Sequence, residues 1–128
     1  MYYETAEKLL TFIRKSPTAF HAVDTMKNIL AEQGFQELSE KDYWKLVPGG
    51  QYMVTRNNSA LIAFSIPENA PHRFHIMASH SDSPTFKIKE NPEITVEKAY
   101  VKLNVEKYGG MLMSPWFDRP LSVAGRVV

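Results

Sequence analysis

Apolar residues recur with a helical period over the first third of the chain and with a strand period after it. Ala6, Leu9, Leu10 and Ile13 fall at i, i+3, i+4 and i+7, with Glu7, Lys8, Arg14 and Lys15 on other faces, which predicts an amphipathic helix. Ser16-Pro17 breaks it, and Ser16 as cap with Pro17 at the first helical position predicts the start of a second helix. Ala19, Val23, Met26 and Leu30 form the second stripe, and Gly34 is a natural stop. The expectation is a helical hairpin whose stripes pack on a sheet.

From Phe35 the pattern shortens. Residues 35–38 and 43–46 are weak strand candidates around a polar segment, and Pro48-Gly49-Gly50 is a turn. Residues 51–56 and 60–66 read as strands joined by Asn57-Asn58-Ser59, a hairpin signature. After a loop over 67–71, residues 73–79 alternate, with Phe74, Ile76 and Ala78 on one face and His75 and Met77 on the other. Ala99, Val101, Leu103 and Val105 alternate with Tyr100, Lys102, Asn104 and Glu106, predicting a strand with one wet face. Gly109-Gly110 turns the chain, and 121–128 begin another extended run. Two helices followed by strands predict an α/β domain, with α+β as the alternative.

Composition adds exclusions. The 128 residues fit one domain, and 44% apolar with 12% aromatic content suffices for a core. Lys and Arg number 15 against 14 Asp and Glu, a net charge of +1 that gives no reason to expect nucleic acid or an acidic membrane surface as partner. With no cysteine, disulfide frameworks, thiolate metal sites and cysteine nucleophiles are excluded. Acidic and basic residues interrupt the N-terminal apolar pattern, so no signal peptide is expected, no apolar run reaches membrane-spanning length, and a cytoplasmic setting is the default. The chain ends within a strand-like pattern, which points to a portion of a longer protein.

The chemistry-bearing stretch is Phe74-His75-Ile76-Met77-Ala78-Ser79-His80-Ser81-Asp82-Ser83-Pro84. Residues i and i+2 of an extended chain face the same side, so His80 and Asp82 can converge. A metal-binding imidazole needs a partner that fixes its tautomer, and Asp82 is placed to be one. Taken alone, this three-letter pattern is open between a metal-ligating imidazole and a solvated turn, the commoner outcome. Zinc requires at least three protein ligands, and one good candidate is visible. His21, His72 and His75 read as structural histidines. Ser79, Ser81 and Ser83 lack a nucleophile elbow, and Gly109-Gly110 lacks the context of a phosphate loop. Lys87, Lys89, Lys98, Lys102 and Lys107 interleave with Glu90, Glu93, Glu97 and Glu106, which reads as a solvated face.

Three longer stretches carry a resemblance. They are Thr18-Ala19-Phe20-His21-Ala22-Val23 with Gly34-Phe35 and Leu38 after it; Ser79 to Pro84 followed by Phe86-Lys87-Ile88-Lys89 and Asn91-Pro92; and Tyr100 to Gly110 leading to Trp116-Phe117-Asp118-Arg119 and Leu121 to Val127. In order and spacing the chain resembles the amino-terminal part of the aspartyl aminopeptidase family of zinc-dependent cytosolic exopeptidases. The resemblance implies that His80 is a metal ligand and that Asp82 is the catalytic-site carboxylate supporting the metal. Ser81 stands where the family usually has Thr, and Pro120 follows Asp118-Arg119 where an acidic residue is frequent. It further implies a two-metal zinc site whose other ligands come later in the chain, peptide substrates with an acidic amino-terminal residue, and a homo-oligomer. Residues 1–97 would belong to the catalytic domain, and 98–128 would start an inserted β-rich oligomerisation domain. On that reading the 128-residue chain is inactive alone. The competing reading is a non-catalytic interaction domain derived from such an enzyme, with the strand from Ala99 to Glu106 as its interaction edge and Tyr100 and Tyr108 as anchors.

Overall fold

Two helices open the chain, and the first is more exposed than its pattern predicts. In the computed structural model, which describes residues 2–69 and 73–127, α1 spans Tyr2–Lys15 with Glu4 in its first turn and Arg14 and Lys15 in its last. Those charges complement the helix dipole. None of its residues is buried, and Leu9, Leu10 and Ile13 remain about half exposed. The expected helical hairpin on a mixed sheet is present: α1 meets α2, and α2 packs on β2 and β3.

The second helix, α2, spans Ala19–Glu32, and its cap is Thr18 rather than Ser16. The Thr18 hydroxyl accepts from the His21 backbone N–H, and the His21 ring Nδ1 lies 2.8 Å from the same oxygen. Pro17 thus precedes the cap instead of following it, so the break between the helices is three residues long. Gly34 stops α2 as expected. At φ 87° it closes a Schellman motif, with Phe35 N–H donating to Leu30 O and Gly34 N–H to Ala31 O, both at 3.0 Å.

A three-stranded mixed sheet follows, in the order β1-β2-β3. Strand β1 (Gln36–Leu38) runs parallel to β2 (Gln51–Arg56), and β2 is antiparallel to β3 (Ala60–Ser65). Among the described residues, the core consists of Ala22 and Val23 from α2 and three consecutive β2 residues, Tyr52, Met53 and Val54. Consecutive burial along a strand means that both faces of β2 are covered. Residues 43–46 form no strand. Trp44 instead donates its indole N–H to Ser39 O (2.8 Å) and leans on Phe64, which also meets Tyr52. The Tyr52 hydroxyl accepts from Val47 N–H at 3.0 Å, so an aromatic-rich loop is pinned across the sheet without pairing.

The described residues form two compact units, Met1–Asp82 with Ala124–Val128, and Ser83–Val123. The second unit is a two-stranded ribbon of β4 (Thr85–Val96) and β5 (Tyr100–Tyr108), with a one-turn helix α3 (Ser114–Phe117). Phe86 packs edge-on against Trp116 and tilted against Phe117, and the Arg119 guanidinium lies over Trp116. The ladder is interrupted between Ile88 and Glu93, where Asn91-Pro92 bulges out. Proline has no N–H for a ladder and is tolerated at such bulges. Asn104 closes the gap by donating to Asn91 O at 3.1 Å. The interleaved charges read from the sequence as a solvated face therefore include a strand that the pattern did not reveal.

Residues 73–79, expected as a strand, are irregular and pair with no strand among the described residues. Phe74, Ile76 and Met77 are at least 84% exposed. Alternation records a readiness to bury one face, and a ladder additionally needs a neighbour. Residues 121–127 likewise form no strand. His72 lies outside the described residues.

Candidate metal centre

His80 and Asp82 end the first segment of the larger unit, at the close of the irregular stretch. The i, i+2 spacing brings them together: His80 Nδ1 lies 3.0 Å from Asp82 Oδ1. The His80 side chain is 91% exposed and that of Asp82 36%. An ionised carboxylate only accepts hydrogen bonds, so this contact holds the proton on Nδ1 and directs the Nε2 lone pair away from Asp82. Between them Ser81 turns inward and donates its hydroxyl to Ser59 O at 2.8 Å, tying the segment to the β2–β3 turn.

The chemistry of these donors fits one ligand of a zinc site and no more. A neutral imidazole with its other nitrogen bonded to a carboxylate is the usual form of a metal-ligating histidine. Zinc requires three or four protein ligands, and among the described residues no group of three His, Cys, Asp or Glu is placed to hold an ion. His21 belongs to the α2 cap, and His75 lies in the exposed irregular stretch, so neither joins His80. Asp118 and Arg119 lie in the smaller unit, where Arg119 is engaged by Trp116.

Two contacts of the larger unit escaped sequence reasoning. Arg126 donates to Asn57 O at 3.2 Å and stacks its guanidinium 4.6 Å from the Phe20 ring centre. Arg56 makes a forked pair with Glu40 (2.7 and 3.0 Å), whose hydrogen bond, and then whose charge, raise the guanidinium above its ordinary value. The partners lie 69 and 16 residues apart, and no local pattern marks them.

The chain is 53% identical over 124 residues to the "Probable M18 family aminopeptidase 2" of Clostridium novyi, covering 95% of this chain and 29% of that protein. Among solved structures it resembles a chain of the Ape4 and Nbr1 complex with 43% identity and a TM-score of 0.85, covering 89% of this chain and 22% of that one. It also resembles a chain of the S. cerevisiae mApe1 dodecamer with 31% identity and a TM-score of 0.79, covering 92% and 28% respectively. The chain thus spans under a third of the length of the curated relative it matches. No helix among the described residues is long and apolar enough to cross a membrane. Residues 12–128 match the family model described as aminopeptidase I zinc metalloprotease (M18), and the chain belongs to that family.

Proposed function

We propose that the protein is a zinc-dependent aminopeptidase that removes amino-terminal, acidic residues from peptides, and that this chain supplies one metal ligand, His80, supported by Asp82. The observation that carries this reading is the 3.0 Å contact from His80 Nδ1 to Asp82 Oδ1, which engages one nitrogen of an exposed imidazole and leaves Nε2 on the opposite edge of the ring. When bound, zinc supplies Lewis-acid polarisation of a scissile carbonyl and an activated water. Asp82 holds the Nδ1 proton and fixes the ring.

The remaining parts of the reading come from the family resemblance. These are a two-metal centre, a preference for acidic residues, a cytoplasmic setting, and a homo-oligomer assembled through a β-rich insertion beginning near residue 98. A solved relative that is a dodecamer supports the oligomer. A single protein ligand does not hold a catalytic zinc, so the 128-residue chain by itself binds zinc weakly and does not turn over.

The test compares zinc content and aspartyl-peptide hydrolysis for this chain and for the product of its complete reading frame. The complete product is expected to hydrolyse the peptide, and His80→Ala to remove bound zinc and activity together. Unchanged zinc content in His80→Ala overturns the ligand assignment. Robust metal-dependent turnover by the 128-residue chain overturns its inactivity.

A further inference from the structure

The chain leaves the larger unit after Asp82 and returns to it at Ala124. His80 and Asp82 therefore sit on the last residues before an excursion, in a stretch with no ladder support. Something other than a sheet must hold them. The departing segment is tied by Ser81 Oγ to Ser59 O at 2.8 Å, and the returning segment by Arg126 Nη1 to Asn57 O at 3.2 Å. Both acceptors belong to one three-residue turn.

That turn is itself well defined. Asn57 and Asn58 adopt φ of 52° and 54°, and Ser59 N–H donates to Arg56 O at 3.1 Å. Asparagine tolerates the left-handed region better than most residues. Its outward carbonyls are left to accept from other segments. The Arg126 guanidinium, 4.6 Å from the Phe20 ring centre near the start of α2, gives one of these bonds a charge-assisted donor backed by an aromatic face. A continuous path runs from Phe20 through Arg126, Asn57 and Ser59 to Ser81, with His80 and Asp82 on either side of it.

We propose that the Asn57–Asn58–Ser59 turn is a two-point clasp that positions the His80–Asp82 pair, with Arg126 as a positioning residue acting through the turn. The functional meaning of the clasp rests on the reading of His80 as a metal ligand, but its existence is testable without metal. Loosening Arg126 lets the turn shift, Ser81 loses its fixed acceptor, and the His80 ring no longer holds its bond to Asp82.

The experiment is long-range proton–nitrogen NMR of the His80 ring in the metal-free 128-residue chain, at a pH about 2 units above an ordinary imidazole. The native chain is expected to show the Nδ1–H tautomer. Ser81→Ala and Arg126→Ala are each expected to lose that signature, giving the mixture of an unrestrained imidazole. Arg126→Lys, which can still donate but cannot stack as a planar fork, is expected to restore it in part. Amide shifts of Val23 and Tyr52 report that the core is intact in each variant. If the core is intact and Arg126→Ala leaves the His80 signature unchanged, the clasp is overturned. Should Arg126→Ala disturb the core, Ser81→Ala decides, because among the described residues its hydroxyl bonds only at the turn, and an unchanged His80 there also overturns the proposal. With no metal in the measurement, its failure is distinct from failure of the ligand assignment, which the zinc content of His80→Ala decides.

Discussion

The two hairpins among the described residues turn in the same way and are held by different means. In β2–β3 the turn residues Asn57 and Asn58 have φ of 52° and 54°, and Ser59 N–H donates back to Arg56 O at 3.1 Å. In β4–β5 the equivalent residues are Glu97 and Lys98, with φ of 53° and 56°, and Ala99 N–H donates to Val96 O at the same 3.1 Å. Asparagine favours this left-handed geometry, whereas glutamate and lysine gain nothing from it. The first hairpin also buries Tyr52, Met53 and Val54, while no residue of the second is buried. Turn and core agree in one hairpin. In the other, the ladder and the twist of its strands impose the turn on residues that do not prefer it. A hairpin of two strands alone is marginal in water, so the second depends on its length and its aromatic cluster.

The largest test removes the feature that only the first hairpin has. Tyr52→Ala deletes a buried ring that meets Phe64 and accepts from Val47 N–H, at an expected cost of about 3–5 kcal/mol. Urea unfolding should show the loss, and hydrogen exchange should place it in α2 and β1–β3 with β4–β5 amides little changed. If β4–β5 loses protection equally, the two hairpins are one cooperative unit and the contrast fails. Gly50→Ala tests the same ring from outside. A Cβ at Gly50 would collide with the Tyr52 ring and hydroxyl, and an overpacking cost of about 1–3 kcal/mol is expected in the same unfolding measurement.

The same contrast explains what could be read from the sequence. The helices and β2–β3 were legible because period, stop signal and turn residues agreed locally: Gly34 ends α2 and Asn57-Asn58 makes the turn. Strand β4 was hidden by its own bulge. Ile88 pairs with Val105 and Glu93 with Leu103, so five residues advance against two and the alternation changes phase. Apolar Phe86 and Ile88 therefore lie on the face opposite Ile94 and Val96, and charges fill the gap. Residues 73–79 failed in the opposite way, since their alternation is clean yet no described strand pairs with them. At the candidate site, the approach of His80 to Asp82 followed from i, i+2 spacing. The Ser81–Ser59 and Arg126–Asn57 bonds span 22 and 69 residues and depend on tertiary placement.

Exchanging turn residues sharpens the comparison. Glu97→Asn with Lys98→Gly should stabilise the ribbon by about 1–2 kcal/mol, because the left-handed region strains ordinary L-residues and does not strain glycine. Hydrogen-exchange protection of the β4–β5 amides would rise accordingly. The converse, Asn57→Glu with Asn58→Lys, should weaken β2–β3 by a similar amount. If the forward exchange has no effect, the ladder alone sets the ribbon's stability and the turn is a bystander.

The smallest effect is expected at the bulge, where Asn104 donates to Asn91 O at 3.1 Å in an exposed position. Water replaces such a bond readily, so Asn104→Ala should cost only about 0.5 kcal/mol. Its diagnostic value lies in location. The bond spans the one place where the β4–β5 ladder is open, between the rungs at Ile88–Val105 and Glu93–Leu103. If those rungs act as one ladder, exchange should quicken on both sides of the bulge. If the bulge divides the ribbon, the change stays on one side, and the second hairpin is two short ladders whose marginal stabilities do not add.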